Sequence, residues 1–454
     1  MELAEVLQAV TGRLSASVRP KLYHGKMSEY DLLKSLRSNE LTFPEYLAQV
    51  EARFNEREPS IISFLPEEIR FPRLREESEC LVLRFPDSWH RPLLFGVLAG
   101  IKDIFRVEGF TTQAGSRLPS EEFQGTEAES VTKLKDAGAL IFGKTVTTEF
   151  AYVSPGPTRN PHNLEYTPGG SSSGSAAAVA AGFCQLGLGT QTIGSIIRPA
   201  SFCGVVGLKP TYDRISREGV IPLSPSLDHV GFFAADVETA IQAARVSYND
   251  WDESTQPLKQ PRLGIPDGPY MQAASEEGLA HFVDVCNQLK NAGYELHHVQ
   301  LMSDLEQIRA RHDVIMSAEA AKVHADWSQK YEALYSRRLT ELIRRGQSIS
   351  DSQLQSALSA RDQFQANLRR AFPDHNVDLW ICPSTVGPAL KGLDNTGDPI
   401  MNLPWTQAGL PVVNLPAGKS RDGLPMGLQV VGNWYNDESL LFWALELERT
   451  LSVL

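Results

Sequence analysis

The chain is poor in several features that would place it in well-defined classes. Its 454 residues contain only five cysteines, Cys80, Cys184, Cys203, Cys286 and Cys382, far apart and without a CxxC pair. That gives neither a disulfide framework nor a zinc-ligand spacing, so reduced thiols in a cytoplasmic protein are expected. No run of eighteen apolar residues occurs, and the N-terminus has no basic start leading into a long apolar stretch and a cleavage site. Neither a membrane span nor secretion is expected. Basic residues are in deficit: 43 Lys and Arg stand against 55 Asp and Glu, a formal net charge of −12. A protein that grips nucleic acid or an anionic membrane by charge needs the opposite sign, so no such partner is expected. A GxxxxGK[ST] phosphate loop is also missing, since the nearest lysine, Lys102 after Gly96 and Gly100, has the wrong spacing and is followed by Asp103.

The apolar content of 42% supports a sizeable core. One segment, Gly169 to Pro199, stands out with five serines and seven glycines around a short apolar stretch. Packing alone does not call for that composition. Small hydroxyl residues among glycines let backbone approach a bound group and leave N–H donors open, as an oxyanion or phosphate site requires.

Around this segment the chain alternates between strand and helix signals. Ser28 with Asp31, and Thr42 with Pro44 and Glu45, read as two helix starts, with extended chain expected after Pro59. LLFGVLAGIKD, ALIFGKT, LGLGT, PRLGIP, VDLWICPS, PVVNLPAG and GLPMGLQVVG read as strands, and helices are expected at ESVTKLKDAG, SAAAVAAG, 236–248, 276–293 and 436–451. Residues 304–371 should be mainly helical, interrupted near Gly346. The alternation predicts one large α/β domain around a central sheet.

Two catalytic readings fit the serines. Gly170-Ser171-Ser172-Ser173-Gly174 matches the G-x-S-x-G elbow, which would make Ser172 a nucleophile, but PHNLEYTPGG before it reads as loop and not as the buried strand an elbow needs. Alternatively a neutral lysine activates a serine, and Lys102, at the end of the apolar VLAGI run, is placed for that. An unperturbed lysine of pKa ~10.4 is only roughly 0.04% neutral at pH 7, so a large downward shift is needed. From spacing alone, an ion pair between Lys102 and Asp103 is an equal alternative.

GIKD at 100–103, PGGSSSGSAAAVAAG at 168–182, LGTQTIGSIIRPASFCGVVGLKPT at 188–211 and GLPMGLQVVG at 423–432 together resemble the amidase signature family, over roughly residues 28–454. The resemblance implies an α/β fold with a central mixed sheet flanked by helices. It implies a helical part at 28–92, a catalytic core at 93–235, a variable region bearing the substrate pocket at 236–405 and a return to the sheet at 406–454, with residues 1–27 as an extension. It makes Ser195 the nucleophile, Ser171 a bridging serine in a cis peptide and Lys102 the base, with the backbone of Thr192, Ile193, Gly194 and Ser195 as oxyanion hole. Gly169, Gly170, Tyr152 and Trp405 become candidates for substrate contact. The implied activity is hydrolysis of a small carboxylic acid amide to acid and ammonia or amine, without metal or organic cofactor, in a protein that could be a homodimer. The runner-up is the glutaminase component of a tRNA-dependent amidotransferase, working with partner subunits.

Members commonly write GTDTGGSIRQPA where this chain has GTQTIGSIIRPA. Gln191 replaces an acid, Ile193 a glycine, and the arginine moves from the Ile197 position to Arg198, where it is expected to reach an acidic side chain and stiffen the loop. Because the amidotransferase component normally carries the DTGGSIR form, these departures favour a standalone amidase. Ser172, Ser173 and Ser175 are read as loop donors and caps, with Ser173 or Ser175 a candidate for the relay, and Thr190 as a backbone-satisfying residue.

Overall fold

In the computed structural model the described residues are 29–452, apart from 256 and 258. The helix start read at Ser28 and the extension assigned to residues 1–27 lie outside them. The described chain opens with α1 (Glu29–Ser38), α2 (Phe43–Ile61) and α3 (Arg70–Arg84). Thr42 and Glu45 form a complete capping box at the start of α2, each side chain bonded to the other's backbone N–H. Pro59 does not end α2 but rides in its last turn, and Ile62 in a left-handed conformation stops it. The sequence pattern did not announce α3, which buries Phe71, Leu74 and Leu81.

Among the described residues ten strands form one mixed sheet: β1 (Leu98–Lys102), β2 (Leu140–Thr145), β3 (Leu186–Gln191), β4 (Val206–Lys209), β5 (His229–Ala234), β6 (Leu263–Asp267), β7 (Leu296–Gln300), β8 (Leu379–Pro383), β9 (Val412–Lys419) and β10 (Pro425–Val431). Their order is β2-β1-β3-β5-β4-β9-β10-β8-β6-β7, parallel in the outer triplets β2-β1-β3 and β8-β6-β7 and antiparallel between them. Helices cover both faces, so β1, β3, β5 and β10 are buried along their whole length and read as apolar runs without alternation. The expected α/β architecture is the observed one. Three strands escape a sequence reading for physical reasons: β4 is four residues long, HVGFFA in β5 has no period to read, and LHHVQ in β7 is a half-exposed edge.

The remaining helices used below are α4 (Glu129–Asp136), α5 (Ser173–Ala180), α6 (Ile197–Cys203), α7 (Val237–Ser247), α8 (Glu276–Asn291), α9 (Leu305–Val323), α10 (Arg337–Gln347), α11 (Asp351–Asp374), α12 (Leu403–Gln407) and α13 (Asp437–Ser452). The long helical stretch breaks just past Gly346, as expected. At the C-terminus α13 is tied to the core, because Asp437 accepts from the Thr211 N–H at 2.8 Å and pairs with Arg214 at 3.1 Å. No helix among the described residues is long and apolar enough to cross a membrane.

Helix α5 positions the serine loop. Its sequence SGSAAAVA is small on every side, which lets it lie buried from Ser173 to Val179 between the sheet and α6. Gly174 in its first turn donates to the Val146 carbonyl at 2.9 Å. A Cβ there would stand 2.3 Å from Ser63 O and 2.4 Å from Val146 N. No neighbour at that point is a flexible side chain, so Gly174→Ala should cost about 1 to 3 kcal/mol of folding stability. Urea denaturation checks this, and an unchanged midpoint would contradict so close an approach.

Candidate active site

Lys102 is the last residue of β1, with its side chain fully enclosed at 0% exposure. Parallel pairing of β1 with β3 carries Thr190 alongside, and Lys102 Nζ donates to Thr190 Oγ1 at 2.8 Å. The same nitrogen stands 2.8 Å from Ser171 Oγ. Burial pushes the Lys102 pKa down to about 7, against the opposing pull of the Asp228 carboxylate. Asp103, the partner that spacing left open, turns away and pairs with Lys144 at 2.8 Å.

Ser171 sits on the loop before α5, and the Gly170–Ser171 peptide bond is cis. The Ser171 carbonyl accepts from Thr148 N–H at 3.1 Å. Arg198 holds the Gly170 carbonyl at 2.6 Å through Nη2 and the Gly397 carbonyl at 2.6 Å through Nη1, with Thr396 Oγ1 at 3.2 Å. The expectation that Arg198 would bond an acidic side chain is corrected: its guanidinium is spent on backbone carbonyls. It does stiffen the loop.

Ser195 lies in the turn between β3 and α6, nearly buried. Gln191 shapes that turn. Its Oε1 accepts the N–H groups of Ile196 at 2.8 Å and Ile197 at 3.0 Å, and its Nε2 donates to Thr406 Oγ1, which in turn donates to the Ile193 carbonyl. The neutral amide therefore does the capping work that an acid would do at a helix start. Thr192 Oγ1 donates to Asp228 at 2.6 Å. Among the described residues, the backbone N–H groups of Ile193, Gly194 and Ser195 have no acceptor. Gly194 cannot carry a side chain, since a Cβ would stand 2.3 Å from Asn402 Oδ1. Ile193 keeps its N–H while its half-buried side chain packs on the core.

The other serines do structural work. Ser172 Oγ, fully buried, donates to the Thr190 carbonyl and accepts the Thr190 N–H, so it is not presented as an elbow nucleophile. Ser175 Oγ bonds Leu188 O and Thr145 and does not reach Lys102. Ser173 Oγ is buried without a partner. No disulfide forms among the described residues; Cys184, Cys203 and Cys382 are buried, and burial pushes the Cys382 thiol up to about 11.

Gly169 and Gly170 pack against Pro199 and Thr396, beside the serine loop. Tyr152 is half-buried, and its carbonyl accepts from Thr148 Oγ1, so its strap shares an anchor with Ser171. Trp405 is corrected as a substrate contact: it has no exposed surface, and its indole N–H donates to Tyr270 Oη at 2.8 Å inside the core. A cavity of about 470 Å3 lies beside Thr190 and Thr192, lined by Ile104, Ala151, Val220, Ile221 and Leu223, by buried Asp228 and His229, and by Asp213, Ser216, Arg217 and Glu218 on its more exposed side. Sequence reasoning missed Thr190 as a lysine partner, Asp228, and the whole wall at 220–228. Only the fold brings these distant segments to Lys102, and no local spacing announces them.

A family model described as Amidase matches residues 83–441. The A subunit of the glutamyl-tRNA(Gln) amidotransferase of Prochlorococcus marinus (strain NATL2A) is 32% identical, over 94% of this chain and 98% of that protein. Its counterpart in Syntrophobacter fumaroxidans (strain DSM 10017 / MPOB) is 33% identical, over 93% and 96%. Among solved structures, one described as "Crystal structure of amidase" superposes with a TM-score of 0.84 at 29% identity, covering 94% of this chain and 100% of that one. Another, described as a vestigial protein complex revealing the origins of an s-triazine catabolic enzyme, gives 0.83 at 27% identity, covering 93% and 98%.

The capping role of Gln191 is testable by stability. Gln191→Ala strands two buried N–H groups and should cost about 1 to 3 kcal/mol, whereas Gln191→Glu, which keeps the acceptor, should lose less. Thermal denaturation of both variants decides, and equal losses would contradict the cap.

Proposed function

The chain belongs to the amidase family, and we propose that it cleaves a carboxylic acid amide through an acyl-enzyme on Ser195, with Lys102 and Ser171 relaying the proton. One observation carries this reading: a completely buried lysine, with no carboxylate in contact, has its nitrogen at hydrogen-bond distance from Ser171. A neutral amine has two hydrogens and one lone pair. In the charged form Nζ donates to both Thr190 Oγ1 and Ser171 Oγ; in the neutral form one hydrogen still serves Thr190 and the lone pair is offered to the Ser171 hydroxyl.

As Ser195 Oγ attacks the amide carbonyl, its proton passes to Ser171 Oγ while the Ser171 proton passes to Lys102. Negative charge grows on the carbonyl oxygen, and the open N–H groups of Ile193, Gly194 and Ser195, with that of Thr192, are the donors for it. Each such donor is worth ~2.7 to 4 kcal/mol of barrier in comparable sites. Collapse breaks the C–N bond, and the relay returns the proton to the leaving nitrogen. Water then attacks the acyl-enzyme by the same relay and releases the acid. In this reading Gly169, Gly170 and Tyr152 border the acyl group, residues 236–405 bear on substrate choice beyond the cavity beside Thr190, whose lining holds none of them, and the protein acts in the cytoplasm.

Ile104, Ala151, Val220, Ile221 and Leu223 in the cavity wall would suit an uncharged acyl group, while Asp213, Ser216, Arg217 and His229 in the same lining would suit a polar one such as that of glutamine. A second reading is favoured by a different observation, the full-length similarity to the A subunits of glutamyl-tRNA(Gln) amidotransferases. There the same chemistry would release ammonia from glutamine for partner subunits. That similarity weighs more toward the amidotransferase reading than the Gln191 and Ile193 departures weigh against it. Ammonia release from aliphatic, aryl and ureido amides and from glutamine, with and without candidate partner subunits, separates the two.

Ser195→Ala should lower turnover by about 10^3-fold or more and abolish labelling by a fluorophosphonate while the fold survives. Labelling that persists, or moves to Ser172, would contradict the assignment. Because the lysine's pKa is lowered and its neutral form is the base, kcat/KM should rise through about pH 7 as Lys102 loses its proton. A flat profile from pH 5.5 to 8.5 would contradict the relay.

A further inference from the structure

Asp228 stands at the start of the β5 segment, between the Ser195 turn and the cavity wall, and nearly every lone pair of its carboxylate is engaged. Oδ1 accepts from Thr192 Oγ1 at 2.6 Å, and Oδ2 accepts the N–H groups of Leu223 at 2.9 Å and Ser224 at 3.0 Å. One side chain thus joins the turn that carries the oxyanion donors to the wall that would hold the acyl group. The carboxylate is also the charge that acts on buried Lys102.

We propose that Asp228 is a positioning residue for amide cleavage, its carboxylate clamping the Ser195 turn, through Thr192, to the backbone of Leu223 and Ser224. This rests on the Ser195 reading. The clamp keeps the N–H groups of residues 192–195 aimed at one point, and the Asp228 charge favours the protonated form of Lys102 against the burial that lowers its pKa.

The groups around the pair leave Asp228 in that role. On β2, Lys144 is consumed by Asp103. Arg217 at the rim is held by Asp213. His229 beside it and His312 on α9 are both neutral at working pH, the second with its pKa pushed down to about 3 by burial. Glu319 on α9 is the remaining charge: it accepts from Ser224 Oγ at 2.6 Å and Ser226 N at 3.0 Å, and it disfavours a second negative charge on Asp228, whose own pKa burial lifts to about 6.

The signs follow from these charges. Losing the Asp228 charge makes protonated Lys102 less favourable, so the acid limb of activity moves to lower pH. Removing the Thr192 hydroxyl takes one arm from the clamp and one hydrogen bond from the Asp228 carboxylate.

The test is the rate of Ser195 labelling by a fluorophosphonate between pH 5 and 9 in the full chain, with cooperative unfolding confirmed for each variant. Asp228→Asn should shift the limb down by roughly 1 unit and lower the plateau. Thr192→Val, which removes one arm of the clamp, should lower the plateau about tenfold. A folded Asp228→Asn protein with the wild-type plateau overturns the proposal. If that variant does not fold, a full Thr192→Val plateau overturns it. Labelling that survives Ser195→Ala would instead sink the underlying reading.

Discussion

The structure depends on the burial of Lys102. A lysine sealed from water at the end of a central strand must either find a carboxylate or give up its proton, because an isolated ammonium in that setting is too costly. Here the adjacent acid is committed to Lys144, and the contacts at Lys102 Nζ are hydroxyls. The environment thus holds the amine near the point of neutrality. β1 pairs with β3, β3 delivers Thr190, and α5 is pressed onto the backbone at Val146 so that Ser171 meets the nitrogen. Each of these is a packing decision whose chemical consequence appears at one atom.

The glycine and serine segment serves that atom in two separately held pieces. Arg198 ties the Gly170 carbonyl to the 396–397 loop, and Gln191 with Thr406 shapes the turn bearing Ser195. The departures from the common family wording become intelligible in this light. An amide at position 191 caps α6 through its oxygen without needing a charge. Arginine at 198 satisfies carbonyls where an acid was expected.

Much of the fold was legible because buried parallel strands and amphipathic helices leave runs and periods in the chain, and because caps such as Thr42 with Glu45 are local. The short strand β4 and the edge strand β7 leave no such mark. At the site, Lys102, Ser171 and Ser195 were readable as a set through resemblance, while a linear chain does not declare which neighbour each side chain faces. Spacing alone could not choose between Asp103 and a hydroxyl for Lys102. Trp405 shows the opposite failure: a tryptophan beside a family-like turn fills a core as readily as it lines a pocket, and here Tyr270 takes its N–H. Asp228 was invisible because its bond to Thr192, 36 residues away, forms only when β3 and β5 pair.

The most direct measurement is the titration of Lys102 itself. NMR of protein labelled at the lysine side chains, with the Lys102 signal assigned by its loss in Lys102→Arg, reports the protonation of that nitrogen in the folded chain. A lysine held near neutrality by burial gives a midpoint near 7. A Lys102 that stays charged past about pH 9.5, like an exposed lysine, would contradict it.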